Sequence, residues 1–87
     1  MSYEVDLSNK AYSALGDLPK HIQKIAGKLI FSISENPFLP GHKKMRDYNP
    51  ACYRFRFGKN YRLIFRVDEP NKVVEIIAIG HRKDIYR

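Results

Sequence analysis

The stretch "YRFRFGKNYRLIFRV", residues 53–67, decides the architecture. On either side of Gly58-Lys59-Asn60 the chain alternates with period two, the mark of strands that bury one face. Tyr53, Phe55 and Phe57 fall on one side of the first strand, and Tyr61, Leu63, Phe65 and Val67 join them from the second. Arg54 and Arg56, then Arg62, Ile64 and Arg66, take the other side. The glycine-containing break suits a tight hairpin, so the two strands pair antiparallel. Four arginines then project from one face, with no acid in the hairpin to balance them. Like charges opposed across a ladder destabilise it. A merely solvated face tolerates lysine, threonine, glutamate or serine, so this pattern calls for an anionic ligand.

Toward the N-terminus, SYEVDL at 2–7 also alternates: Tyr3, Val5 and Leu7 on one face, Ser2, Glu4 and Asp6 on the other. Ser8 can cap a helix by accepting a backbone N–H. Ala11, Leu15 and Leu18 follow at helical spacing, and Gly16 marks the fraying end. Pro19 suits the first position of a second helix, where no N–H is needed. Ile22, Ile25, Ala26, Leu29, Ile30 and Ile33 then form one apolar stripe, which Asn36-Pro37 terminates. Residues 37–50, PFLPGHKKMRDYNP, have no periodicity and read as a long loop. Its basic centre, with Lys43, Lys44 and Arg46, is either a solvated turn or a phosphate contact. The last three strands are expected at 51–57, 61–67 and 72–80, with Asp68-Glu69-Pro70-Asn71 as the second turn. The order β-α-α-β-β-β predicts an α+β fold: a small, mainly antiparallel sheet of about four strands with a helical hairpin on one face.

The 87 residues suit one domain, 1–87. Residues 1–40 carry four Lys/Arg and four Asp/Glu, whereas 41–87 carry twelve and five, so all of the +7 lies in the second part. A field of one sign confined to half a domain fits a polyanion or an acidic protein. The single Cys52 cannot close an intramolecular disulfide, and no Cys/His spacing suggests a metal site. With no signal peptide and no long apolar run, a cytoplasmic protein that neither enters nor spans a membrane is expected.

The chain closes with IGHRKDIYR. YRFRFGKNYRLIF, then IGHR, then a late tyrosine, together with "LP" between the helices, resembles the RelE family of bacterial and archaeal toxins. The resemblance covers nearly the whole chain. It implies a RelE-like fold and a toxin of a type II toxin–antitoxin pair. It further implies an endoribonuclease that cuts messenger RNA in the ribosomal A site, using no metal or other cofactor. The implied partners are the ribosome with its mRNA and a cognate acidic antitoxin, with operator DNA met only through the antitoxin complex. Position by position, Arg62 matches the family's hairpin arginine, Arg82 the arginine of its G-x-R motif, and Tyr86 its C-terminal tyrosine. Arg54 and Arg56 stand where founding members carry lysines. Two other functions stay open: a ParE-like inhibitor of DNA gyrase, and a non-catalytic nucleic-acid-binding module.

Metal-free RNA cleavage by attack of the 2′-hydroxyl on phosphorus yields a 2′,3′-cyclic phosphate. It requires a base, cations for the extra negative charge, and an acid for the leaving oxygen. The guanidinium forks of Arg62 and Arg82 suit the charge. Arg54, Arg56 and Arg66 suit contacts to the RNA backbone. A base or acid is sought in His81, because histidine is the residue type suited to proton transfer near neutral pH, or in Tyr86, because a tyrosine's pKa can fall beside arginines. Arginine cannot replace a lysine that gives up a proton, so Arg54 inherits no such role. His81 can equally close the strand end through a hydrogen bond, and Tyr86 can simply pack.

Overall fold

The computed structural model describes residues 2–46 and 51–85. In chain order it contains β1 (Glu4–Leu7), α1 (Asn9–Asp17), α2 (Lys20–Glu35), β2 (Lys43–Lys44), β3 (Tyr53–Phe57), β4 (Tyr61–Asp68), β5 (Val73–His81) and α3 (Arg82–Ile85). The expected β-α-α-β-β-β order is present, with β2 and the single turn α3 in addition. Among the described residues the sheet has five strands, not about four, in the order β1-β5-β4-β3-β2. Only β1 runs parallel to its neighbour β5; the other pairs are antiparallel.

Local chemistry places each element. Ser8 Oγ accepts from the Ala11 N–H at 3.0 Å and donates to the Ile77 carbonyl at 2.9 Å, so one hydroxyl caps α1 and ties it to β5. Gln23 Nε2 donates to the carbonyls of Gly16 and Leu18, stitching the helical hairpin. Pro19 is the N-cap of α2, one residue outside the expected first position. Ile22, Ala26 and Ile33 are buried, with Leu29 and Ile30 partly so. Ile25 departs from the expected stripe and is 40% exposed. Against these side chains lie Phe55, Phe57, Leu63, Phe65, Val74, Ile76 and Ile79. The rings of Phe55 and Phe65 stack nearly parallel, with centroids 5.7 Å apart, within this core.

The hairpin turn needs its glycine. Gly58 has φ 53°, and a Cβ there would stand 3.1 Å from Ile22 Cδ1 on α2. Only glycine meets both demands at low cost. The turn sets Phe57 against Tyr61, Arg56 against Arg62 and Arg54 against Ile64. The strand β2 was not legible because two residues carry no alternation. It forms because β3 would otherwise leave its outer N–H and C=O groups unpaired. Met45 extends the pairing, its N–H donating to the Cys52 carbonyl at 2.8 Å.

A bulge in β5 has larger consequences. Ile64 pairs with Ala78 but Phe65 pairs with Ile76, so Ile77 is one residue extra. The alternation of β5 flips there. Val74 and Ile76 face the helices before it, and Ile79 and His81 face them after it, opposite Leu63 and Tyr61.

Candidate functional site

The face of the sheet away from α1 and α2 is laid out in rows across the strands. One row holds Arg56, Arg62 and Gly80; the next holds Lys43, Arg54, Ile64 and Ala78. Two pairs of cations, Lys43 with Arg54 and Arg56 with Arg62, are thus directly opposed in adjacent rows. Both arrangements are electrostatically unfavourable without an anion. Met45, Arg46 and Lys44 complete, with Lys43 and Arg54, a shallow depression of about 400 Å³ at the sheet edge. Lys44 itself pairs with Tyr53, so it leaves the strand from the opposite side to Lys43.

Arg62 does not sit exposed, as simple alternation implies. It is only 8% accessible. Its Nη1 donates to the Tyr61 carbonyl at 3.0 Å, while its Nε is buried with no hydrogen-bond partner. Among the described residues no carboxylate lies within ion-pair distance of it. A buried cation without a counter-charge is costly, and an orphaned N–H adds to that cost. Next to Arg62 on the same face, Cys52, Ile64 and Ala78 form a small apolar cluster against which Met45, Ile77 and Ile85 pack. Cys52 is buried there.

Other expected residues are placed differently. Arg66 is not a free cation: its Nη2 donates to Glu75 Oε2 at 2.8 Å, and Glu75 holds the guanidinium pKa above its usual value. The hairpin contains no acid, but β5 brings one to its face. His81 lies on the helix side with its ring edge-on to Tyr61 at 5.3 Å, so the strand does not carry it to the arginine face. Its Nδ1 accepts from the Lys83 N–H at 3.1 Å, the strand-closing role open to it from the start. It lines a separate hollow with Ala14, Asp17, Leu18, Pro19, Tyr61 and Asp84. The loop histidine His42 is turned toward Phe38 and Tyr53. Arg82 opens α3 with an exposed side chain, and its N–H donates to the Asn60 carbonyl at 2.7 Å, fixing the terminus beside the hairpin turn. Tyr86 lies outside the described residues.

The site is therefore a cluster of fixed cations, and among the described residues neither His81 nor His42 joins it. It can hold phosphate oxygens and stabilise added negative charge on phosphorus. Glu75 was the residue missed; its only signal was to be the lone acid in the apolar run VVEIIAIGH.

The family model for the ParE toxin of the type II toxin–antitoxin system parDE matches residues 5–86. The chain is 33% identical to the toxin RelG of Mycobacterium tuberculosis, over 100% of this chain and 99% of that one. It is 26% identical to the mRNA interferase toxin RelE of Escherichia coli, over 95% of this chain and 86% of that one. The toxin–antitoxin complex RelBE2 of M. tuberculosis contains a chain that superposes with a TM-score of 0.81 at 29% identity, covering 94% of this chain and 100% of that one. The chain belongs to the RelE family of type II toxins, within the RelE/ParE group. Among the described residues no helix is long and apolar enough to cross a membrane.

Proposed function

We propose that this toxin is a ribosome-dependent endoribonuclease that cuts mRNA in the A site without a metal and so stops translation. One observation carries the reading most directly: Arg62 is buried, has no carboxylate within ion-pair distance among the described residues, and is opposed to Arg56 in the ladder. A phosphodiester relieves that arrangement, and one gaining charge on the way to a 2′,3′-cyclic phosphate relieves it more. Binding that strengthens toward the transition state is what accelerates a reaction. Arg62 and Arg82 supply charge stabilisation, while Arg54, Arg56, Lys43 and Arg46 position the RNA backbone. Tyr86 is the acid–base candidate favoured here. Placing the 2′-hydroxyl in line is left largely to the ribosome, and such orientation is a large part of the barrier. The E. coli relative named an mRNA interferase supports the same chemistry.

A cognate acidic antitoxin is the expected neutralising partner, as the RelBE2 complex of a relative suggests. It would cover the arginine face or displace residues 81–87, and its DNA-binding part would take the complex to an operator. The expected setting is the cytoplasm.

Primer extension tests the activity. Induction should produce discrete cuts in translated mRNA, while the same RNA free in solution stays whole at physiological salt. Because the matching family model carries the ParE name, the competing outcome is gyrase inhibition with intact mRNA. That result would replace this reading.

A further inference from the structure

Arg62 and Arg66 lie four residues apart on β4 and leave it from the same face, yet their surroundings are opposite. The row of Arg66 continues into Glu75 on β5 and Asp6 on β1. The next row holds Asp68, Val73 and Glu4. Both rows are net negative. The rows of Arg62 and Arg54 are net positive, and the apolar Ile64, Ala78 and Ile77 separate the two zones. The Arg66 and Glu75 side chains are 37% and 40% exposed, so solvent and a phosphate can reach them. What keeps an anion away is the carboxylate already on the guanidinium, with Asp6 beside it. Exposed ion pairs add little to stability, so the main consequence of this one is its field.

We infer that Glu75 is a specificity-determining residue that removes Arg66 from the RNA track. With Asp6 it ends the track at Ile64. A bound strand then runs across β4, β3 and β2, from Arg62 past Arg56 and Arg54 to Lys43 and Arg46. It does not run along β4 toward Asp68. This rests on the RNA reading above. It assigns to Arg66 a place outside the interface, where alternation alone put it inside.

Salt-dependent binding of the full chain to a short labelled single-stranded RNA, 2′-O-methylated so that it cannot be cut, tests the inference. Glu75→Gln should free Arg66 for one more phosphate. The slope of log affinity against log salt should steepen by about 0.7, with roughly threefold tighter binding at low salt. Glu35→Gln, the same change of charge at the exposed end of α2, should leave the slope alone. Arg66→Ala should bind as the wild type does, and the double variant Glu75→Gln/Arg66→Ala should return to the wild-type slope. The inference is overturned if Glu75→Gln behaves like Glu35→Gln, or if Arg66→Ala weakens binding as much as Arg56→Ala. A wild-type chain showing no salt-dependent RNA binding would instead remove the RNA reading, and the track with it. Normal wild-type binding with neutral variants removes the track alone.

Discussion

The two ends of the sheet face away from α1 and α2 share one strand, β4, and behave oppositely. At the β2–β3 end the ladder, among the described residues, sets two pairs of cations against each other: Lys43 faces Arg54 and Arg56 faces Arg62. At the β1–β5 end Arg66 meets Glu75 at 2.8 Å. One strand thus carries both an arginine with no carboxylate beside it among the described residues and an arginine that already has one. The role of a strand arginine is set by what the neighbouring strand places opposite it.

Arg62 gives the largest test of this contrast. Arg62→Met should lower cleavage of translated mRNA by about 10²–10³-fold, the usual cost of losing one charge-stabilising donor. The same variant should be no less stable, and up to about 1 kcal/mol more stable, because an uncompensated buried cation has been removed. Activity and thermal unfolding measured on one preparation decide it. An Arg62→Met protein that unfolds more easily would mean the guanidinium is already compensated in the folded state.

Gly58→Ala probes the turn that holds Arg56 against Arg62. The positive φ and the nearness of Ile22 should cost about 1–2 kcal/mol in a urea titration. Cleavage per folded molecule should be unchanged. If cleavage falls further than stability, the basic rows depend on register more finely than the contrast supposes.

His81→Phe keeps a ring against Tyr61 on the helix side. Cleavage should match the wild type, and its pH profile should keep its shape. A lost or shifted limb in that profile would place the imidazole in the chemistry despite its position.

The smallest effect belongs to the acidic end. Glu69 accepts from Lys72 Nζ at 2.9 Å and from the Tyr3 hydroxyl at 2.8 Å, and these contacts, Lys72 first, hold its pKa below the usual glutamate range. A carboxylate depressed on folding adds stability that is complete above its unfolded pKa and lost as pH falls through the folded one. Unfolding monitored by denaturant should therefore show a modest acid-side loss below the ordinary glutamate range, smaller in Glu69→Gln. The group is exposed, so the difference should be slight. A difference as large as that from Gly58→Ala would show that the β1–β5 edge is tied more tightly than its exposure indicates.

Much of this was legible in the residues. Alternation in 53–67 placed both aromatic and arginine faces, because a strand's side chains have a period of two whatever surrounds them. The α2 stripe was readable for a similar reason, apart from Ile25. Charge asymmetry and the Y-R, G-H-R and terminal motifs pointed to the family before any contact was known. Tertiary structure alone decided three matters. The burial of Arg62 depends on neighbours remote in sequence. Glu75 reaches Arg66 only because β5 pairs with β4 in one particular register. His81 turns toward the helices because the bulge at Ile77 reverses the alternation of β5. A one-residue change of register moves every side chain beyond it to the other face, and register is a property of two paired strands rather than of either sequence alone.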